Sequence, residues 1–178
     1  PKPEESIEAM AEQKGMTAAE LAYEILIEND GNNFIYAPLV NYADHTFGVC
    51  KKMLDDKNAI MGLGDGGAHV GFILDAGYPT WLISYWSVKQ KAYSMEETVR
   101  RLTSDTANAA GLNDRGLLKV GLKADINIID WENVGSSDPF MTQDLPAGGK
   151  RLMQYTKGYV TTIVSGKVTY KNGKFTKE

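Results

Sequence analysis

A glycine-rich turn around one aspartate constrains this chain more than any other feature of its sequence. Four glycines surround Asp65 in the segment Gly62-Leu-Gly-Asp-Gly-Gly67, and the apolar run over residues 59–64 leads directly into it. A short apolar run bounded by turn residues is typical of a buried strand. In parallel α/β folds, ligands bind and catalytic residues gather at the carboxyl ends of strands. The pattern therefore predicts a functional site at Asp65.

The residues of this turn leave more than one chemistry open. Asp65 could be a plain turn former, because Asp and Gly are frequent where the chain needs positive φ. The spacing Gly62-x-Gly64-x-x-Gly67 formally matches a dinucleotide fingerprint, but no acid follows about 20 residues on, and Asp65 would repel a pyrophosphate. A carboxylate at a strand end can also ligate a metal or accept a proton from metal-bound water.

The first part of the chain alternates helical and strand-like patterns. Thr17-Ala-Ala-Glu20 predicts a capping box at the start of a helix. Residues 34–37 and 59–64 predict buried strands, and residues 44–54, 81–91, 95–102 and 103–110 predict helices. This order is the signature of βα units in a parallel sheet. Two such units cannot close a barrel, which typically takes eight strands and about 250 residues.

The last third of the chain is predicted to be antiparallel β structure. Leu117-Leu118 and residues 124–130, 159–164 and 167–170 are strand-like, and Asn172-Gly173 is a type I′ hairpin signal. A loop that contains Gly135, Pro139, Pro146, Gly148 and Gly149 is predicted to lead to the strand at residue 159. The Lys and Arg residues after Ala147 are expected on a solvated face and at strand edges. Residues 1–115 are thus predicted to be barrel and residues 116–178 a β region.

Composition limits the partners that we expect. A net charge of −4 and a pI of 5.3 argue against nucleic acid or an acidic membrane surface. No apolar run approaches the roughly 20 residues of a membrane helix, and a single cysteine, Cys50, fits a reducing compartment, so a cytoplasmic location is expected. The sequence holds two histidines, His45 and His69, so a histidine-rich metal site would have to be completed elsewhere. This suggests a fragment.

Several motifs, in order, resemble one enzyme family. Met61-Gly-Leu-Gly-Asp-Gly-Gly-Ala-His-Val-Gly71 resembles the strand-eight motif of the N-acyl-D-amino-acid deacylase (D-aminoacylase) branch of the amidohydrolase superfamily. Residues 102–130 resemble the segment by which that family leaves its barrel. Residues 145–151 and 161–168 resemble its closing strands. The likeness runs from about Ser6 to the end of the chain.

The resemblance implies a (β/α)₈ barrel with a zinc site and a small composite β-sandwich built from both chain ends. Asp65 would take a proton from zinc-bound water and deliver it to the departing amine of an N-acyl amino acid, and it could also be a metal ligand. The other zinc ligands of the family have no counterpart here. We therefore expect the chain alone to bind little or no zinc and to be inactive.

Each remaining candidate residue has a structural interpretation and a functional one. His69 either lines the substrate pocket or fixes the loop through backbone hydrogen bonds, and Gly66, Gly67 and Asn41 are candidate substrate contacts. The other side chains are expected to be structural. His45 is expected to be solvated or capping, Cys50 to pack in a helix core, and three aromatic rings to pack a helix against the barrel (Trp81, Tyr85, Trp86). An ion pair is expected to order the turn into the β region (Arg115, Asp125), and Asp105 to cap a helix.

Two rival functions remain. One is another amide or cyclic-amide hydrolase of the same superfamily. The other is a fragment without catalytic activity that associates with itself, because open βα units leave apolar strand edges uncovered and favour a homo-oligomer.

Overall fold

The computed structural model describes residues 2–38, 40–62, 64 and 66–176. The chain divides into two compact units, Pro1–Ala59 and Ile60–Glu178. In the part of the chain that is described, no helix is long and apolar enough to cross a bilayer.

The first unit is helical. A 3₁₀ turn over Pro3–Glu5 precedes α1 (Ile7–Lys14), α2 (Ala18–Gly31) and α3 (Gly48–Leu54). The Thr17 hydroxyl accepts the Glu20 amide at 3.2 Å, and the Glu20 carboxylate accepts the Thr17 amide at 2.9 Å. The predicted capping box is therefore confirmed. Ala11 and Leu21 bury their side chains where α1 and α2 pack together.

The prediction of a buried strand over residues 34–37 is wrong. These residues belong to no strand, and Tyr36 is 71% exposed. The described residues of the 59–64 run, and Leu117-Leu118, also lie outside strands. An apolar run predicts burial, but a strand forms only where a second strand completes its hydrogen bonds.

Helices open the second unit. α4 (Tyr78–Trp81) continues into a π-helical segment, Leu82–Lys89, and α5 (Met95–Leu102) and α6 (Ser104–Ala109) follow. Leu82, Ile83 and Trp86 are buried in this region. Trp81 stacks on Tyr85 with ring centroids 4.7 Å apart, and Trp86 meets both rings edge-on. These three rings pack on one another within a single helical stretch, and their predicted packing against a barrel stays a prediction.

Antiparallel pairs make up the β region. Its strands, numbered in chain order, are β1 (Ile126–Ile129), β2 (Gly135–Ser136), β3 (Phe140–Leu145), β4 (Gly149–Met153), β5 (Thr156–Lys157), β6 (Tyr159–Val164), β7 (Lys167–Lys171) and β8 (Lys174–Phe175). One sheet has the order β1-β6-β7-β8, and the other two pairs are β2 with β5 and β3 with β4.

Two tight turns connect β6, β7 and β8. Asn172 and Gly173 have φ of 48° and 80°, and Ser165 and Gly166 have φ of 50° and 81°. Positive φ at both central residues is the requirement of a type I′ turn. The hairpin signal at Asn172-Gly173 is therefore confirmed. The lysines of this region, at positions 150, 157, 167, 171 and 174, are exposed as expected.

The prediction of a loop from Gly135 to the strand at Tyr159 is wrong in part, because β2, β3, β4 and β5 lie within it. The pairing of β3 with β4 is irregular, with a register shift between Thr142 and Leu145. The chain is thus a mixed helix and strand protein with antiparallel sheets. The barrel and the boundary at residues 115 and 116 stay predictions.

Candidate active site

Asp65 lies outside the described residues, so the site is built from its neighbours. The predicted contact residues Gly66, Gly67 and His69 belong to a turn that runs from Gly64 to Ala76. We call residues 64 and 66–76 the glycine turn. It precedes α4 directly, and its residues lie in the second unit.

Two glycines of this turn pack closely against Asp75 and Ala76, which we call the returning arm of the turn. A Cβ on Gly64 would lie 3.0 Å from the Asp75 carboxyl carbon, and one on Gly66 would lie 2.6 Å from the Ala76 Cβ. Carbon atoms pack at about 3.5–4.0 Å, so a Cβ on Gly66 does not fit, and a Cβ on Gly64 would require the Asp75 side chain to shift. Gly67 is required for another reason, since its φ is +102°. The turn thus needs Gly64 and Gly66 for close approach and Gly67 for its backbone conformation.

His69 organises the turn through its main chain. Its φ is 50°, and its carbonyl accepts the amides of Phe72 at 3.0 Å and Ile73 at 3.1 Å. The imidazole is exposed and packs on the Phe72 ring at a centroid distance of 5.2 Å. A main-chain role in fixing the loop is therefore present, and contact with a substrate stays a prediction.

The sequence alone does not indicate that the returning arm, Asp75 and Ala76, belongs to the site. Asp75 is half-buried, and its carbonyl accepts the Tyr78 amide at 3.2 Å at the start of α4. An Asp-Ala-Gly sequence just before Pro79 is a turn signal. That signal marks the bend, but it does not show that Asp75 and Ala76 face Gly64 and Gly66.

The glycine turn does not have the structure of a dinucleotide site. Such a site needs a helix that opens at the last glycine. The first helix after Gly67 begins at Tyr78, and residues 60–62 form no strand. The structure therefore agrees with setting the dinucleotide fingerprint aside.

Strand β4 and the residues after it border this turn. The Leu152 amide donates to the Val70 carbonyl at 2.8 Å. A Cβ on Gly77 would lie 3.2 Å from the Gln154 Oε1. The β region therefore touches the segment at two places, one residue after His69 and one just before α4.

A cavity of about 530 Å³ lies next to the residues that lead into the turn. Its lining is mainly apolar and comes largely from residues 60–62, the helices and β1, and Asp125 is the one carboxylate among the described lining residues. Asp125 accepts the Arg115 guanidinium at 2.9 Å and the Ser165 amide at 2.7 Å. Its carboxylate is therefore engaged in the turn into the β region, as predicted. The lining does not include residues 66–69.

The prediction that Asp105 caps a helix is wrong. The residue before α6 is Thr103, which makes no side-chain cap bond. Asp105 lies inside the first turn and accepts the Arg100 guanidinium at 2.6 Å. A charge pair with the preceding helix takes the place of the cap.

Asn41, His45 and Cys50 lie in the first unit. Asn41 and His45 have φ of 61° and 55°, and the His45 amide donates to the Tyr42 carbonyl at 3.1 Å. The Cys50 thiol donates to the Asn41 carbonyl at 3.8 Å, and burial raises the pKa of Cys50. A raised pKa keeps the thiol protonated and disfavours a nucleophilic role. That Asn41 contacts the substrate stays a prediction.

Within the described ranges, no three His, Cys, Asp or Glu side chains gather as a metal-binding group. His45 and His69 belong to different units. The described residues therefore do not by themselves supply a zinc ligand set.

Comparison with known proteins completes this picture. A family model described as the amidohydrolase family matches residues 3–170. A dihydroorotase of Lactobacillus acidophilus is 33% identical over 89 residues, which is 48% of this chain and 20% of that enzyme. The chain thus spans about a fifth of the length of this curated relative. No solved structure matches the chain.

Proposed function

Because the chain belongs to the amidohydrolase family, we propose that it is the C-terminal part of a zinc-dependent hydrolase that cleaves N-acyl amino acids, including D-amino acids, to a carboxylate and a free amino acid. Family membership and the similarity to dihydroorotase support a hydrolase that acts on C–N bonds. The D-aminoacylase branch, the zinc and the substrate are the parts that we propose.

The packing of the glycine turn carries this proposal. Gly64 and Gly66 flank Asp65 in sequence, and both lie against Asp75–Ala76. A Cβ on Gly66 would clash with the Ala76 Cβ at 2.6 Å, and one on Gly64 would meet the Asp75 carboxyl carbon at 3.0 Å. A catalytic group has to be held in a defined geometry, because a small misplacement costs a large part of the rate. A turn that is close-packed on both sides of the proposed catalytic position fits that requirement.

In the proposed reaction, Asp65 accepts the proton of the attacking water and returns it to the departing nitrogen. Zinc, held by ligands outside the described residues, would polarise the amide carbonyl and lower the pKa of water. His69, Gly66, Gly67 and Asn41 are the proposed substrate contacts. Asp65 itself is a further candidate ligand.

A cyclic-amide hydrolase is the second candidate. The similarity to dihydroorotase favours it, because that enzyme shares 33% identity with this chain over 89 residues. Both candidates use the same bond chemistry, so Asp65 would have the same role in each. They differ in whether the amide is open or part of a ring.

Self-association without activity is the third candidate. Leu117, Leu118 and Val120 are 58%, 84% and 101% exposed. An exposed apolar run of this kind favours contact with another surface. The proposal of a hydrolase includes a homo-oligomer as its assembly state and the cytoplasm as its location.

The first experiment measures bound zinc and hydrolysis in the full-length protein. The substrates are N-acetyl-D- and N-acetyl-L-amino acids, dihydroorotate and hydantoin. Asp65→Asn removes the proton acceptor and keeps the size of the side chain, so we expect kcat to fall by about 100-fold or more. Asp138→Asn, an exposed aspartate in the β region, is the matched control and should keep full activity.

Each result of this experiment has one meaning. Turnover of the open amides alone supports the deacylase, and turnover of the ring substrates alone supports the second candidate. Undiminished turnover in Asp65→Asn would remove the role of Asp65. An inactive, zinc-free full-length protein that sediments as an oligomer would leave self-association as the function.

A second experiment tests the packing of the turn. Gly66→Ala places a Cβ 2.6 Å from the Ala76 Cβ, whereas Gly71→Ala meets nothing within 4 Å. We expect Gly66→Ala to lower kcat/KM by between about 10- and 100-fold and Gly71→Ala to leave it near the native value. Adding Ala76→Gly removes the nearest atom and should restore part of the loss. Equal activities for the two single variants would contradict a close-packed active-site turn.

A further inference from the structure

We propose that the β3–β4 hairpin positions the glycine turn for catalysis, with Leu152 as the positioning residue that acts through its main-chain amide. This inference rests on the proposed function, because it assumes that the turn carries the reaction. It adds a role for the β region, which the family match and the glycine motif leave without one.

The first step is the hydrogen bond itself. The Leu152 amide donates to the Val70 carbonyl at 2.8 Å. Val70 directly follows His69, whose carbonyl accepts hydrogen bonds from the backbone amides of Phe72 and Ile73. The hairpin therefore holds the turn at the residue next to its main bend.

The second step is the stiffness of the hairpin. Leu152 is opposite Met141 in the ladder of β3 and β4. The neighbouring Arg151 binds both carboxylate oxygens of Asp144, with Nε at 2.7 Å and Nη2 at 2.6 Å. A bidentate pair of this kind fixes orientation as well as distance. The Leu152 amide that donates to Val70 thus belongs to a hairpin whose two strands are joined by an ion pair as well as by their backbone ladder.

The third step is a second contact at the far end of the turn. The Gln154 side chain lies against Gly77, and its Nε2 donates to the Ser137 carbonyl at 2.7 Å. The Tyr155 amide donates to the Ser137 hydroxyl at 3.0 Å. Residues that follow β4 therefore support the end of the turn, just before α4 begins. Support at both places restricts how the turn can shift.

The experiment compares two substitutions at one position in the full-length, zinc-loaded protein. Leu152→Ala keeps the amide, and Leu152→Pro removes it, so the pair isolates the hydrogen bond from the side chain. Arg151→Gln loosens the hairpin without altering the amide and covers the case in which the proline variant does not fold. The readouts are kcat and KM measured separately, and hydrogen exchange at the Phe72 and Ile73 amides.

We expect Leu152→Pro to lower kcat by about 10- to 100-fold relative to Leu152→Ala, with KM changed by less than about threefold. Exchange at Phe72 and Ile73 should become faster, while amides of β6 and β7 keep their protection. Arg151→Gln should produce a smaller change of the same kind. Unchanged exchange and kcat in Leu152→Pro, or in Arg151→Gln if the proline variant does not fold, would overturn the inference.

The failure of the proposed function would look different. If the native protein hydrolyses none of the substrates, the proposed function fails. Faster exchange at Phe72 and Ile73 in Leu152→Pro would then still support the tether, and unchanged exchange would overturn it. If the native protein is active and the variants match it in kcat and exchange, the proposed function stands and the positioning role falls.

Discussion

Each of the two compact units is stabilised internally by a different kind of interaction. In Pro1–Ala59, the buried apolar side chains of the described residues are Ala11 and Leu21. In Ile60–Glu178, Leu82, Ile83 and Trp86 belong to a larger buried set around the helices. The first unit has side-chain caps at the N-termini of α1 and α2, but among its described residues it buries little apolar surface.

This difference shows that local signals and core packing can be separated within one chain. A cap or a helix-terminal turn contributes about 1 kcal/mol wherever it stands. Burial of a leucine contributes according to how many neighbours close around it. Paired substitutions, one in each unit, should therefore agree where the interaction is local and differ where it depends on the core.

The largest difference is expected for the two buried leucines. Leu82 is 0% exposed and Leu21 is 1% exposed, but Leu82 lies among more buried neighbours. Leu82→Ala should lower the free energy of unfolding by about 3–5 kcal/mol, and Leu21→Ala by about 2 kcal/mol, because a thin core collapses more easily around the missing atoms. Urea titration measures both.

Tryptophan fluorescence separates the units in this experiment. Every tryptophan of the sequence lies after Ile60, so fluorescence reports the second unit, while circular dichroism reports the helices of both. Leu21→Ala should alter the dichroism transition and leave the fluorescence transition in place. A fluorescence shift as large as that of Leu82→Ala would contradict separate stabilities.

Two left-handed glycines give the next largest difference. Gly15 has φ +70°, and a Cβ added to it would meet nothing within 4 Å. Gly158 has φ +88°, and a Cβ added to it would lie 2.6 Å from the Val134 Cα. Gly15→Ala should cost about 1–2 kcal/mol for its backbone conformation alone. Gly158→Ala adds a backbone clash and should cost about 2–5 kcal/mol. Thermal melts of both variants check this.

Gly166→Ala is the control for the glycine pair. It lies in the second unit with φ +81° and open space around a Cβ, so it should behave like Gly15→Ala. If Gly166→Ala were as damaging as Gly158→Ala, the unit rather than the contact with Val134 would explain the loss.

The same division explains how much of the fold the sequence predicts. The Thr17 cap and the Asn172-Gly173 turn depend on residues a few positions apart, and both form as expected. Ser94 caps α5 by the same local bond. The strand expected over residues 34–37 depends on a partner elsewhere in the chain, and it does not form. Periodicity states which residues prefer burial, but it does not state what buries them.

The candidate site divides in the same way. The sequence identifies the glycines of the turn, and Gly67 has the positive φ that such glycines predict. It does not identify Ala76 as the residue that excludes a Cβ at Gly66, or Leu152 as the donor to Val70. These contacts depend on how the chain returns on itself, and no local pattern encodes that path.

Helix caps should show agreement between the units. The Thr17 hydroxyl accepts the Glu20 amide at 3.2 Å, and the Ser94 hydroxyl accepts the Glu97 amide at 3.1 Å. Thr17→Ala and Ser94→Ala should each cost about 1 kcal/mol, because each removes the bond to the backbone amide. Thr17→Ala also removes the bond that the hydroxyl donates to the Glu20 carboxylate at 2.8 Å, which is exposed and adds little. Thr17→Ser and Ser94→Thr keep the oxygen and should cost far less.

Urea titration with the unit-specific probes measures the cap variants. Dichroism follows Thr17→Ala, and fluorescence follows Ser94→Ala. A cost for Thr17→Ala that is several times larger than for Ser94→Ala would show that the cap supports more than the end of α2.

The smallest effect is a difference in how two glutamates in the first turns of α2 and α5 respond to salt. The amide and hydroxyl of Thr17 hold the pKa of Glu20 below its usual value, and the guanidinium groups of Arg100 and Arg101 do the same for the pKa of Glu97. A lowered pKa in the folded state stabilises that state above the ordinary glutamate pKa, and this is lost as the pH falls through the folded value. Both helix ends should therefore loosen in acid.

Salt should separate the two carboxylates. At about 1 M NaCl the Debye length is about 3 Å, so the ion pairs of Glu97 weaken, while the backbone bond that lowers the pKa of Glu20 carries no net charge on its donor. Carboxyl-carbon NMR titration should show the pKa of Glu97 rising toward its ordinary value in salt and that of Glu20 moving less. Glu20→Gln keeps the capping geometry without a titrating group, so the acid loosening of α2 should disappear in that variant. A pKa of Glu20 that rises in salt as much as that of Glu97 would mean that charge, rather than the local cap, holds the first unit's helix end.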